Sequence, residues 1–467
     1  MSRLQAEDIP IPLIFTPPLS GEPAVDETAW LPMSFWGKRS TLEQVARLAD
    51  ARGLSRDAVL GSFLARTSAL IPPTLVLPPI DGAPASLNFF AVVVAESGHG
   101  KSAANRVAAE LLPDSALAHA RVHSAPSLGS AEGLVEQFFD WKDEIDESGK
   151  PQRIKARVHD SLFVRVDEAT RLTELAGRKG STMLSTLLAI WSGENPGTTG
   201  ASEETTRNLP PMKYRAGVVV NYQPGVAQEL LKQAGIGLPQ RFVVFNANPQ
   251  LHLVEPRQRE RIDNPEPIKW QHRPVVAGQA GNQPQIDVPD KIRYEVQQDR
   301  YERQKGYKED TDGLGGHATL SRLKLAALFG ALEGRWSIDS ADWELALTVM
   351  ETSHRNWQLI SQRTQKDQQS RNRANANRRA AEAVAAEDAL AERHRRITES
   401  AFTSMARKAH RDKHASRSDV FKAINSRYRA ELRKQNMSQS EIVEAAIDEG
   451  VIQDTDSGWE VSHEWLE

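Results

Sequence analysis

The stretch from Leu87 to Leu112 constrains this chain most. Leu87 to Ala95 carries three successive valines and two phenylalanines, the composition of a strand buried on both faces. Glu96-Ser97-Gly98-His99-Gly100-Lys101-Ser102 follows, then an alanine-rich helix that Pro113 stops. Strand, tight loop and helix, with Gly-Lys-Ser at the turn, form the context a phosphate-binding loop requires. Gly98 and Gly100 let backbone N–H groups turn inward around phosphates, and the helix N-terminus adds partial positive charge. Lys101 can neutralise the outer phosphates and the Ser102 hydroxyl can ligate Mg²⁺. The first position of the pattern, ordinarily glycine, is Ala95, which a strand end tolerates. The stretch therefore predicts an α/β core that binds ATP and Mg²⁺ through residues 96–102.

About 65 residues further on, Ser161-Leu162-Phe163-Val164-Arg165-Val166-Asp167-Glu168 reads as a second core strand ending in two acids. Asp167 at its carboxyl end can hold the Mg²⁺ shell, and Glu168 can orient and deprotonate an attacking water. A third strand, Tyr214 to Val220, ends in Asn221-Tyr222-Gln223-Pro224. Asn221 and Gln223 suit sensing a γ-phosphate or placing water, and Asn221 also suits starting a turn. Arg241 stands at the entrance of a fourth strand, Phe242 to Phe245, where it can reach a neighbouring subunit's nucleotide.

The rest of the chain divides by composition. Residues 1–28 are rich in proline and small residues and read as extended or disordered. Leu42, Val45, Ala46, Leu48 and then Val59, Leu60, Phe63, Leu64 recur at helical spacing, predicting a helical subdomain over 29–80 ahead of the 81–250 core. Asp140 to Arg157 reads as a charged surface hairpin. Residues 251–311 lack sustained periodicity and read as an extended insertion. Two helices over 312–365, separated by Gly334 and with Asp339 as an N-cap, form a lid. Residues 366–410 suit a long solvated helix or a linker.

The last segment, 411–467, reads as helix, helix and β-hairpin, the order of a winged helix. Ser438 to Glu441 is its capping box and Gly450 a helix stop. The net charge of −4 hides an asymmetry, because Arg363 to Lys434 carries 19 Lys and Arg against 9 Asp and Glu. A basic tail on an acidic body suggests a polyanionic partner. Lys422, Arg427 and Arg429, with loop cations Arg178, Lys179, Arg207 and Lys213, are the candidate DNA contacts. With no cysteine, disulfides and thiolate chemistry are excluded. No apolar segment approaches the about 20 residues that span a bilayer, and the N-terminus lacks a signal pattern, which points to the cytoplasm.

Phe35 to Trp357 resembles a family of P-loop ATPases of actinobacterial phages and mobile elements associated with primase–polymerases. The matching signatures are LARTSAL with SLNFFAVVVAESGHGKS, GSTMLSTLLAIWSGE, YRAGVVVNYQP, GLPQRFVVF, and GHATLSRLKLAALFGALEG followed by DWELALTVM. The motif order is also similar to helicases of the minichromosome-maintenance type. That resemblance implies an AAA+-like core of parallel sheet flanked by helices, with Asn221 as a sensor. It also implies Arg241 as an arginine finger and Arg322 as a second sensor on the helical lid. A winged helix closes the chain. It further implies a homo-oligomeric ring, a hexamer, driving DNA translocation as a replicative helicase on single-stranded or forked DNA, beside a separate primase–polymerase. The alternative is a DNA-binding ATPase switch without unwinding activity, such as an origin-binding factor, helicase loader or defence protein.

Overall fold

The computed structural model describes residues 27–80, 82–125, 129–145, 150–177, 181–197, 208–231, 237–249, 253–270, 275, 283–307, 317–434 and 436–466. The chain divides into two units, Met1–Gln365 and Lys366–Glu467.

In the first unit, helices α1 (Met33–Trp36), α2 (Ser40–Ala51) and α3 (Arg56–Leu70) precede strand β1 (Phe89–Val94). Then come α4 (Lys101–Leu111), α5 (Asp114–His119), β2 (Val122–Ala125), α6 (Ala131–Glu136), β3 (Phe139–Ile145), β4 (Pro151–Arg157) and β5 (Ser161–Val166). They are followed by α7 (Ala169–Gly177), α8 (Met183–Ser192), β6 (Arg215–Tyr222), α9 (Pro224–Leu231) and β7 (Phe242–Asn246). Last are α10 (Asp290–Gln304), α11 (Ala318–Leu332) and the start of α12 (Ser340–Arg411).

Five strands form one parallel sheet in the order β2-β5-β6-β1-β7, flanked by helices, an architecture compatible with a Rossmann- or P-loop-like core. The alternation of β1 explains its composition. Phe89, Ala91 and Val93 face a cluster with α2, α3 and α4, whereas Phe90, Val92 and Val94 face one with α6 to α9. Strand β2, Val-His-Ser-Ala, escaped the sequence reading because four residues with two polar ones carry no apolar run. The charged stretch before β5 is the expected hairpin, with β3 and β4 paired antiparallel. At the sheet edge, the Val244 N–H donates to Ser353 Oγ (2.8 Å) and Phe242 O accepts from Trp357 Nε1 (3.4 Å). Helix α12 thereby satisfies backbone groups that an open edge strand would expose.

The expectation of a separate helical subdomain over 29–80 is overturned. Helix α3 is buried from Asp57 to Leu70 and lies directly on the sheet. Its polar residues turn inward: Ser62 and Thr67 donate to carbonyls of the preceding turn, and Ser68 Oγ donates to Leu87 O (3.0 Å). Two glycines permit the approach. A Cβ on Gly61 would meet the Phe245 ring at 2.5 Å, and one on Gly217 of β6 would land on the Ala65 carbonyl oxygen. That second contact is backbone on backbone, which no rotamer relieves. Gly217→Ala should therefore destabilise the fold by about 3 kcal/mol or more, read as a lowered denaturation midpoint in urea.

The extended insertion over 251–311 is corrected as well. Within it, α10 buries Ile292 and Val296 in the same core as α3. Parallel bridges Val76–Gln285 and Asp287–Ser337 tie its approach to the rest of the unit. With two buried residues on an otherwise charged helix, α10 had too little periodicity to be read. Asp339 caps α12 as expected: its Oδ1 accepts the Asp342 N–H (2.7 Å), and Asp342 Oδ2 accepts the Asp339 N–H (2.9 Å).

In the second unit, residues 368–391 of α12 are exposed, as a polar helix should be. Helices α13 (Arg417–Lys422), α14 (Ser426–Lys434) and α15 (Gln439–Asp448) precede the antiparallel pair β8 (Ile452–Thr455) and β9 (Gly458–Val461). The Ser438–Glu441 capping box forms. The core of this unit joins Val420, Phe421, Ile442, Val443 and Trp459 to Ile397, Phe402 and Met405 of α12. It therefore reaches back to Ile397, ahead of the boundary expected at 411. Among the described residues no helix is long and apolar enough to cross a membrane.

Candidate functional site

Because the five strands run parallel, the loops leaving their carboxyl ends gather at one edge of the sheet. The loop 95–100 leaves β1, Asp167 and Glu168 leave β5, and Asn221 to Gln223 close β6, which lies between β5 and β1. Val93 pairs with Asn221, and Val166 with Val220, so the three exits stand level.

Gly98 (φ 85°) and Gly100 (φ 80°) adopt left-handed backbone, and a Cβ on Gly100 would press to 2.6 Å from Leu54 Cδ2. Gly100 is the N-cap of α4 and supplies no side-chain cap to its first N–H groups. Lys101 curls over the loop, its Nζ donating to Ala95 O (2.6 Å) and Glu96 O (2.7 Å). Burial holds this ammonium below its ordinary pKa, opposed by the Glu96 carboxylate. Ser97, His99 and Ser102 are exposed around it.

Asn221 is the hinge between the two halves of the site. It is 2% exposed. Its Nδ2 donates to Asp167 Oδ1 (3.3 Å), while its buried Oδ1 has no hydrogen-bond partner. The other Asp167 oxygen meets Arg165 Nε at 3.2 Å. Glu168 and Gln223 are exposed, and the Gln223 carbonyl accepts the Val226 and Ala227 N–H groups at the start of α9. A magnesium–nucleotide fits these groups: uncapped N–H donors and Lys101 for phosphate, Ser102 and Asp167 for the metal, Asn221 Oδ1 for a donor such as water. Among the described residues no cluster of three or more His, Asp or Glu could hold an ion alone. Mg²⁺ here would depend on phosphate and water oxygens to complete its shell.

One cation at this edge was not singled out in the sequence. Arg363 of α12 pairs with Glu96 at 2.5 Å, both side chains partly exposed. In sequence it opens a long polar run, and only the packing of α12 brings it to the loop.

The remaining candidates lie elsewhere. Arg241 precedes β7, at the amino-terminal edge. Phe242 pairs with Phe90, so Arg241 is separated from the end of β1 by roughly 16 Å of strand. Its Nη1 donates to Gly237 O (2.7 Å), its guanidinium lies 5.2 Å from the Trp191 ring, and burial lowers its pKa. His317 packs edge-on against the same ring, and burial with the charges of Arg241 and Lys324 lowers its pKa to about 4. Arg322 is half-buried, its guanidinium 3.5 Å from the Trp343 ring and donating to Trp343 O. Two residues on along α11, Lys324 Nζ donates to Asn88 O (2.9 Å) at the amino end of β1. The structure therefore joins Asp167 to Asn221 and sets Lys101 at the same edge of the sheet, while Arg241 stands at the opposite edge and Arg322 bonds Trp343 O.

Of the candidate DNA contacts, Arg178, Lys179 and Arg207 lie outside the described residues. Lys213 is exposed beside the base of the β3–β4 hairpin, its carbonyl accepting from Arg157. Lys422 and Arg427 are exposed on α13 and α14, whereas Arg429 turns its guanidinium to 5.9 Å from the Phe421 ring. Compared with models of protein families and with curated proteins, the sequence matches none.

Proposed function

We propose that this chain is a Mg-ATP hydrolase of the P-loop, AAA+-like type that drives translocation on DNA, acting as a ring-forming replicative helicase of a phage or integrative element. The observation that carries the reading is that the Lys101 loop and Asp167 leave the strands on either side of β6, whose Asn221 donates to Asp167. Phosphate, metal and attacking water then share one edge of the sheet. Lys101 holds the outer phosphates, Ser102 and Asp167 orient the metal, and Glu168 accepts the proton of the attacking water. Mg²⁺, when bound, neutralises charge developing on the phosphoryl oxygens.

The basic balance of 363–434 supports a nucleic-acid partner, with the exposed cations of α13 and α14 meeting phosphates. Helix α15 carries Glu441, Glu444 and Asp448, with Glu449 as its C-cap, so a winged-helix unit here would meet DNA through α13–α14. Expected outcome: Lys101→Ala weakens ATP binding by about tenfold to a hundredfold, the loss of charge-assisted contacts, as read by titration with a fluorescent ATP analogue. Unchanged affinity would remove the nucleotide reading.

A DNA-binding ATPase switch without unwinding is the second reading. The Arg363–Glu96 pair favours it, because phosphate entering the loop competes with Glu96 for Arg363 and gives nucleotide state a lever on α12. Strand displacement on forked DNA separates the two readings.

A further inference from the structure

The chain has six tyrosines. Two, Tyr214 and Tyr222, are core residues. Three of the other four stand on or just after α10, and all three are exposed: Tyr294 by 66%, Tyr301 by 48% and Tyr307 by 74%. Ile292 and Val296 occupy the buried face of the same helix, so the rings are not there to fill the core.

Tyr294 and Tyr301 are two helical turns apart, about 10 Å along one face. Tyr307 packs edge-on against Tyr301, with centroids 6.5 Å apart. The charges are sorted. Exposed Lys291 opens the stripe, and Lys305 Nζ lies 5.8 Å from the Tyr301 ring. The carboxylates between them are held: Glu295 accepts from Trp343 Nε1 (2.6 Å), Asp299 pairs with Arg303, and Glu302 accepts from Gln298 (3.0 Å). Asp290 is the exposed exception, in the first turn, where it suits the helix dipole.

We propose that this face of α10 binds single-stranded nucleic acid. Tyrosine rings with two torsions each make rigid stacking platforms, and every base offers a face regardless of sequence. Lysines at the two ends of the Tyr294–Tyr301 pair answer the phosphates. Tyrosine is enriched at protein interfaces too, but lysine is depleted there, and here exposed Lys291 and Lys305 bracket the rings. The stripe is remote from the nucleotide loop. Helix α10 leans on α11 through Asp299 and Thr319, and α11 reaches the opposite end of β1.

The proposal rests on the reading that this chain handles DNA, and its test separates the two. The full chain is titrated with a labelled oligothymidylate and with a duplex, and its ATPase is measured alongside. Replacing Tyr294 and Tyr301 together by alanine should weaken oligothymidylate binding about a hundredfold, tenfold per ring, while duplex binding and basal ATPase hold. Phenylalanine at both positions should restore affinity to within about threefold. Lys291→Gln and Lys305→Gln should each reduce the salt slope by about 0.7. Alanine variants that bind the single strand as well as the parent overturn the site and move the stripe to a protein-docking role. So does phenylalanine failing to rescue, or equal losses on duplex. A parent chain that hydrolyses ATP yet binds no oligothymidylate overturns the stripe and leaves the ATPase standing. One that binds it through the tyrosines without hydrolysing ATP does the reverse.

Discussion

Arg241→Ala is expected to lower ATP turnover about a thousandfold, the usual effect of removing an arginine finger. Within one chain Arg241 stands at the amino-terminal edge of the sheet, opposite the loop after β1, so the proposed finger role requires a neighbouring subunit's nucleotide. Stacking on Trp191 and the bond to Gly237 O leave the guanidinium pre-positioned at an edge, at little entropic cost on contact. The same contacts raise a competing explanation, in which Arg241 only holds Trp191 and β7 in place. Mixing separates the two. Inactive Arg241→Ala subunits combined with inactive Lys101→Ala subunits should regain some ATPase, because certain interfaces pair an intact loop with an intact finger. Co-assembled rings shown to contain both variants and still dead would confine Arg241 to its own subunit. A melting temperature unchanged in Arg241→Ala would dismiss the structural role directly.

Glu168→Gln is expected to keep ATP binding while lowering hydrolysis by about a hundredfold to ten-thousandfold, the range for losing a general base. The structure gives the prediction an internal control. Both acids are exposed at the strand end, but Asp167 is tied to Asn221 and Arg165. Asp167→Asn should therefore disturb Mg²⁺ dependence, and Glu168→Gln should leave it alone. Normal turnover in Glu168→Gln, measured as phosphate release at saturating ATP, would sink this assignment.

The strand–loop–helix at 87–112 was legible in the sequence because its determinants are local. An apolar run, two glycines needing left-handed backbone and a proline stop each act within a few residues. The acids at 167 and 168 and the Asn at 221 were legible for the same reason, each ending an apolar run. Capping at Asp339 and Ser438 was equally local.

What only the tertiary structure decided is which ends meet and which faces are covered. The order β5-β6-β1 is set by how strands pair across long separations, and it alone puts Asn221 against Asp167. Helix α3 read as half of a separate subdomain because spacing reports apolar positions and not partners. Its burial on all sides depends on Gly61, which seats the Phe245 ring, and on Gly217, far away in sequence, which lets two backbones touch. Arg363 met Glu96 only once α12 had covered the edge of β7. The tyrosines of α10 became notable once two apolar residues had fixed which face is inside, because exposure is a property of the folded surface and not of the residue.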